Sequence, residues 1–161
     1  MVSLPVDLLS KLRKMLTDSV VFSNDHELRA VFFDPRLEQW RNQVPNAHTP
    51  LSRFSFLLSA LLNNWNTDGD NAFYLFLCVL SEQLESRELA ELALEARDEL
   101  LRQKIVDWEQ RLTQLEKNLQ RGRAKPDYAT KRRAQIQEEI QKCHILLANT
   151  PPLCFGEAKA S

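Results

Sequence analysis

The run Ala72–Leu80, AFYLFLCVL, most constrains what this chain can fold into. Every residue from Phe73 to Leu80 is apolar, so a helix here has no face to offer to water and must lie at the centre of a bundle. A buried strand competes for a run of this length. The SEQLES that follows favours the helix, and Asp70 or Asn71 in the preceding Gly-Asp-Asn turn supplies its cap. The chain has only 3 Gly and is dominated by Leu, Glu, Gln, Arg and Ala, which makes it mainly α-helical.

The same punctuation recurs upstream. Pro5 fits the first turn of a helix reaching about Leu16, with Leu8, Leu12 and Leu16 on one stripe. Val20-Val21-Phe22 is a short apolar crossing. Asn24 and Glu27 have the spacing of a capping box, followed by Leu28, Val31 and Phe32 as a core face. Asp34-Pro35 predicts a short third helix carrying Leu37, Trp40 and Arg41, closed by Pro45. Thr49-Pro50 opens the next helix, whose stripe is Leu51, Phe54, Leu57/Leu58 and Leu61/Leu62.

Ser86 starts a helix with no stop signal before Arg121-Gly122. Leu89, Leu92/Ala93, Ala96 and Leu100 close the bundle. Beyond them, Leu101, Ile105, Trp108, Leu112, Leu115 and Leu119 alternate in steps of four and three, the spacing of a coiled-coil seam. After the turn from Arg121 to Asp127, a last helix places Ala129, Ile136, Ile140, Cys143 and Leu147 on one seam, and Pro151-Pro152 ends it. The expected fold is therefore all-α. A six-helix bundle spans residues 1–100, an antiparallel coiled-coil helical hairpin spans 101–150, and a flexible tail spans 151–161.

Charge is divided unevenly along this plan. Nine Lys/Arg face fifteen Asp/Glu in residues 1–100, and twelve face seven in 101–161, giving −6 and +5 within a net charge of −1. Acidic and basic halves attract each other within one molecule or between copies, so a homo-oligomer is one expectation. Cys78, Cys143 and Cys154 show no CxxC spacing. Cys78 reads as a small buried hydrophobe, and the odd count suits a reducing cytoplasm. The N-terminus lacks the pattern of a secretory leader, and no apolar run approaches the roughly 18–20 residues that span a bilayer. A cytoplasmic location away from membranes is the expectation.

No catalytic constellation emerges. His26, His48 and His144 lie in unrelated segments. Cys143 and His144 are adjacent and point about 100° apart on a helix, so they do not share a metal. Asp68-Gly69-Asp70 begins like a calcium loop, but Val79 stands where the bidentate Glu belongs. A capped polar turn is the better reading, and no cofactor or metal is expected. Two features remain as candidate contact sites. In the Trp-Arg stretch, Trp40 either packs on the bundle while Arg41 pairs an acid, or forms a partner hot spot with Arg36 and Arg41. The basic cluster Arg121, Arg123, Lys125, Lys131, Arg132 and Arg133 is either a solvated turn or a patch for an acidic partner. Nucleic acid is the weakest reading, because aromatics do not interleave these charges and the chain is nearly neutral.

The order HELRAVF, DPRLEQWRNQVPN, Arg53 at the head of the next helix, GDNAFYLFLCVLSEQ and ELAELA resembles the effector-associated domains of bacterial conflict systems. The resemblance covers roughly residues 1–100. It implies a death-domain-like helical module that recruits an effector or sensor carrying a related domain by like-with-like association. Family members usually adjoin an effector, whereas this sequence continues into a charged hairpin. Either it is a stand-alone adaptor or it is a fragment of a longer protein; with no catalytic groups in sight, the expectation is a non-enzymatic adaptor whose hairpin sets oligomeric state or engages a second partner. A regulatory subunit that masks an enzyme and a nucleic-acid-binding hairpin protein are the alternatives.

Overall fold

The computed structural model describes residues 3–153, and the tail expected over 151–161 falls mostly outside them. The described residues form six α-helices, two short 3-10 segments and one isolated bridge between Trp65 and Asn71. The fold is all-α. The described residues divide into two compact units, a first holding 3–97 and 151–153, and a second, Asp98–Thr150.

The first unit is a helical bundle. It comprises α1 (Val6–Thr17), a 3-10 turn (Val20–Phe22), α2 (Asp25–Val31), a second 3-10 segment (Glu38–Gln43), α3 (Pro50–Leu61), α4 (Ala72–Gln83) and the first part of α5 (Arg87–Gln120). α1 lies on α3, and α4 touches both α2 and α3. Residues Ala72 to Ser81 of α4 are all buried, as a helix apolar on every side requires. Phe76 is the aromatic hub, with ring centres 5.7 Å from Phe32, 6.1 Å from Phe22 and 6.3 Å from Phe73. Leu89, Ala90, Leu92, Ala93 and Ala96 of α5 are buried as well.

Side-chain caps start most of these helices. Asn24 accepts from the Glu27 N–H at 2.8 Å, Thr49 from Ser52 at 3.1 Å, and Ser86 from Leu89 at 3.1 Å. Asn71, rather than Asp70, caps α4 and accepts from Phe73 at 2.8 Å, while its own amide donates to the Leu62 carbonyl at 2.8 Å. The third element differs from expectation. Asp34 does not cap a helix; it closes a turn by accepting from the Arg36 N–H two residues on, and a 3-10 segment begins only at Glu38. An Asx-turn and a helix cap use the same carboxylate and the same Asp-Pro signal, so sequence alone does not separate them.

The second unit holds the rest of α5 and α6 (Pro126–Ala148), joined by the turn at Arg121–Lys125. Gly122 ends α5 at φ +70°, where the Arg123 N–H reaches back to the Asn118 carbonyl at 2.8 Å. Leu115, Ala129 and Ile136 form a buried cluster, with Trp108, Leu112, Leu119 and Ile140 packed against it. The seam residues Leu101, Ile105 and Cys143 are also buried. No helix among the described residues is long and apolar enough to cross a membrane.

Candidate functional site

Two surfaces carry the sequence-predicted contact residues, one in each unit. In the first unit the turn at Asp34 aims Arg36 outward. Its guanidinium reaches Asp34 at 2.9 Å and Glu82, on α4, at 2.5 Å. Those hydrogen bonds, Asp34 first, hold Arg36 firmly protonated, and the Arg36 hydrogen bond in turn draws the Asp34 carboxyl below its ordinary range. Five residues on, Arg41 lays its guanidinium 4.8 Å from the centre of the Phe33 ring and pairs with Glu38 at 3.5 Å. Phe33 is 66% exposed, an unusual setting for a large aromatic side chain. Trp40 is 4% exposed. It belongs to the core, which corrects its place among the contact candidates; Phe33 is the exposed aromatic beside Arg41.

Elsewhere in the first unit lies an ion pair that spacing rules did not mark. Arg53 of α3 is 6% exposed and points inward. It donates to Asp25 at 2.9 Å, to the Phe22 carbonyl at 3.0 Å and to the Ala47 carbonyl at 2.9 Å. The Arg53 hydrogen bond, reinforced by the Ala47 N–H, holds the Asp25 carboxyl below its ordinary range. The arrangement ties three segments together and offers nothing to a ligand.

The Asp68–Asp70 loop is also structural. Asn66 accepts from the backbone N–H of both Asp68 and Asp70 at 3.0 and 2.8 Å. Burial pushes the Asp70 carboxyl up. No group of three His, Cys, Asp or Glu side chains suited to a metal ion occurs among the described residues. Cys78 is buried in α4, among the apolar side chains that the sequence led us to expect around it. Cys143 is a buried free thiol whose ionisation is pushed up chiefly by burial, which suits packing rather than nucleophilic chemistry.

In the second unit the turn and the flanking helices line an open, shallow cleft of about 570 Å³. Arg111, Arg123, Lys125 and Arg132 line it, together with Tyr128, and no carboxylate does. Arg121, Lys131 and Arg133 are not among its lining residues. Arg121 and Lys131 are exposed, and Arg133 approaches Glu116 at 3.9 Å. Arg111 and Arg132 place their guanidinium carbons 4.6 and 5.7 Å from the Trp108 ring centre, so the indole sits between two cations. Aromatics therefore do interleave the basic cluster. Tyr128 stands three residues after Lys125 and four before Arg132, a helical spacing that was open to view in the sequence. Trp108 joins across the turn, where sequence order gives no hint. Compared with protein-family models, curated proteins and solved structures, the chain finds no match.

Proposed function

We propose that this chain is a non-enzymatic adaptor of a bacterial defence or signalling system. On this reading its first unit is a death-like bundle of the effector-associated type, binding a related helical domain on an effector or sensor. The second unit acts as an antiparallel coiled-coil hairpin that sets oligomeric state or engages a second partner. The observation that carries the reading is the rim at residues 33–41. An exposed Phe33 backed by Arg41 stands beside Arg36, which Asp34 and Glu82 hold in one geometry. Aromatic and arginine side chains already fixed in place are the usual anchors of protein interfaces, because little side-chain freedom is lost on binding. The likeness in residue order over about 1–100 supplies the partner class.

The test uses a second copy of the chain as the related domain. Light scattering on the purified protein across a concentration series is expected to show association that Phe33→Asp and Arg36→Glu each weaken at least tenfold. A chain that stays monomeric at about millimolar concentration, with both variants indistinguishable from it, overturns like-with-like association. Circular dichroism of the variants verifies that the exposed substitutions leave the helices intact.

A further inference from the structure

We propose that the cleft of the second unit binds a nucleoside phosphate, its phosphates on Arg123 and Lys125 and its base against Tyr128. The inference stands apart from the adaptor reading and uses none of the residues at the 33–41 rim.

Charge is the first observation. Four cationic side chains converge on one cleft, and none of its lining residues is acidic. Arg111 is paired with Asp107 at 3.0 Å and rests on Trp108, so it serves mainly as a wall. Arg123 and Lys125 are both exposed. They belong to the turn itself, and Lys125 precedes α6 without making a side-chain cap bond. The first-turn N–H groups of a 23-residue helix thus add their dipole at the same end of the cleft.

The second observation is an aromatic surface in the right place. Tyr128 lines the same cleft and is 59% exposed. It projects from the first turn of α6, beside the cations rather than remote from them. A phosphate alone needs no such ring, whereas a base stacks on it.

The third observation is polar pattern. Gln114 and Asn118 sit on successive turns of α5 within the cleft, and the Gln114 amide donates to Asn118 Oδ1 at 3.1 Å. That bond leaves the Asn118 amide nitrogen as a donor and the Gln114 carbonyl oxygen as an acceptor, the two kinds of group that a nucleobase edge engages. Leu115 and Ile136, both buried, give the cleft an apolar floor. The volume of about 570 Å³ lies within the range that holds small ligands.

The source of the nucleoside phosphate is either a free nucleotide or one residue of a single strand. Both present the same chemistry to the cleft, and titration separates them. Calorimetry on the full chain at about 100 mM salt would use adenosine diphosphate, inorganic phosphate, a ten-nucleotide single-stranded oligonucleotide and a ten-residue Glu-rich peptide. The diphosphate nucleoside is expected to bind at least tenfold more tightly than inorganic phosphate. Tyr128→Ala should erase that advantage and Tyr128→Phe should keep it. Arg123→Ala combined with Lys125→Ala should weaken binding of adenosine diphosphate about tenfold or more, the effect of losing charge-assisted contacts to phosphate. An oligonucleotide that binds more tightly than the mononucleotide, with a steep salt dependence, assigns the strand as source. Equal affinities assign the free nucleotide.

Three results overturn the proposal. One is no saturation by either nucleotide ligand at about 10 mM. Another is binding indifferent to Tyr128→Ala and to the double variant. The third is a Glu-rich peptide that binds more tightly than adenosine diphosphate. All of these side chains except the floor face solvent, and circular dichroism confirms helicity before each titration. Arg123→Lys, which keeps the charge, provides a second variant that retains most of the affinity if phosphate is what the turn recognises.

Discussion

The two units keep their stability in different places. In the first, α4 is buried all round, five Phe rings form its aromatic core, and an inward-pointing Arg53 is satisfied by a carboxylate and two carbonyls. In the second, a narrow seam that includes Leu101, Ile105, Leu115, Ala129, Ile136 and Cys143 does the packing, and charged side chains pair along the helix surface, as in Asp107–Arg111 and Glu138–Lys142. Pairs of that kind contribute only about 0.3–0.5 kcal/mol each. A bundle that buries so much of its sequence can hold a rim of exposed residues in fixed geometry. A helix pair with a narrow core leaves its turn free to gather cations, as Arg123 and Lys125 do in a cleft that no carboxylate lines. The comparison teaches that binding capacity follows from what each unit does not need for folding.

The largest expected effect tests the aromatic hub. Phe76→Ala should cost about 3–5 kcal/mol, the usual range for deleting a fully buried aromatic ring, read as a lower urea midpoint. A loss under about 1 kcal/mol would mean that the bundle closes over the cavity, and the contrast between a dense and a thin core would weaken.

Arg53→Ala comes next, at about 3 kcal/mol, because it leaves the Phe22 and Ala47 carbonyls and the Asp25 carboxylate without their buried donor. The same pair gives the first unit an acid limb. Asp25 has a folded-state pKa below its unfolded one, so its contribution is complete above the unfolded value and disappears as pH falls through the folded one. Asp70 runs the other way. Burial raises its pKa, so its contribution is present at low pH and is lost as pH rises through the folded value. A melting series from pH 7 to pH 2 should therefore flatten in Asp25→Asn, whereas Asp70→Asn should help most at neutral pH. An unchanged acid limb in Asp25→Asn would remove the buried pair from the account of the first unit.

Ile136→Ala tests the thin seam, with an expected cost of about 2–3 kcal/mol, toward the low end for buried aliphatic residues because four of the six side chains clustered with it are partly exposed. Amide exchange should rise in α6 and stay unchanged in α3 and α4. Equal loss of protection in all of them would show the two units to be one cooperative block, and the distinction drawn above would fall.

Most helix starts were legible because a cap and the amide it serves lie within three residues of each other. Asn24, Thr49 and Ser86 show this directly. α4 was legible for another reason: eight consecutive apolar residues leave no alternative face. The buried partners of Arg53 were not legible, since Phe22 and Asp25 lie 31 and 28 residues away and only packing brings them near. Trp40 takes the first of its two readings and packs in the core, while Phe33, unmarked in the sequence, is the aromatic that lies exposed beside Arg41. In the second unit the seam residues were legible from spacing. The cleft was not, because it is assembled from the end of α5, the turn and the start of α6 together.

The smallest expected effects set two helix ends side by side. α4 and α5 stop in the same way, with a left-handed residue followed by an N–H that reaches five residues back. Ser86 donates to the Ser81 carbonyl at 2.9 Å, and Arg123 to Asn118 at 2.8 Å. At α5 the left-handed residue is Gly122, and at α4 it is Glu85 at φ +51°. A side chain in that conformation costs about 1 kcal/mol that glycine avoids, and glycine returns part of the gain as extra freedom in the unfolded chain. Glu85→Gly should therefore stabilise the first unit by about 0.5 kcal/mol. Gly122→Ala should destabilise the second by about 1 kcal/mol even though its added carbon meets nothing within 4 Å, so the penalty is backbone strain alone. If Glu85→Gly instead lowers the melting temperature, the Glu85 carboxylate contributes more to the end of α4 than its strained backbone takes away. The first unit would then owe part of its stability to surface charge, the feature that otherwise marks the second.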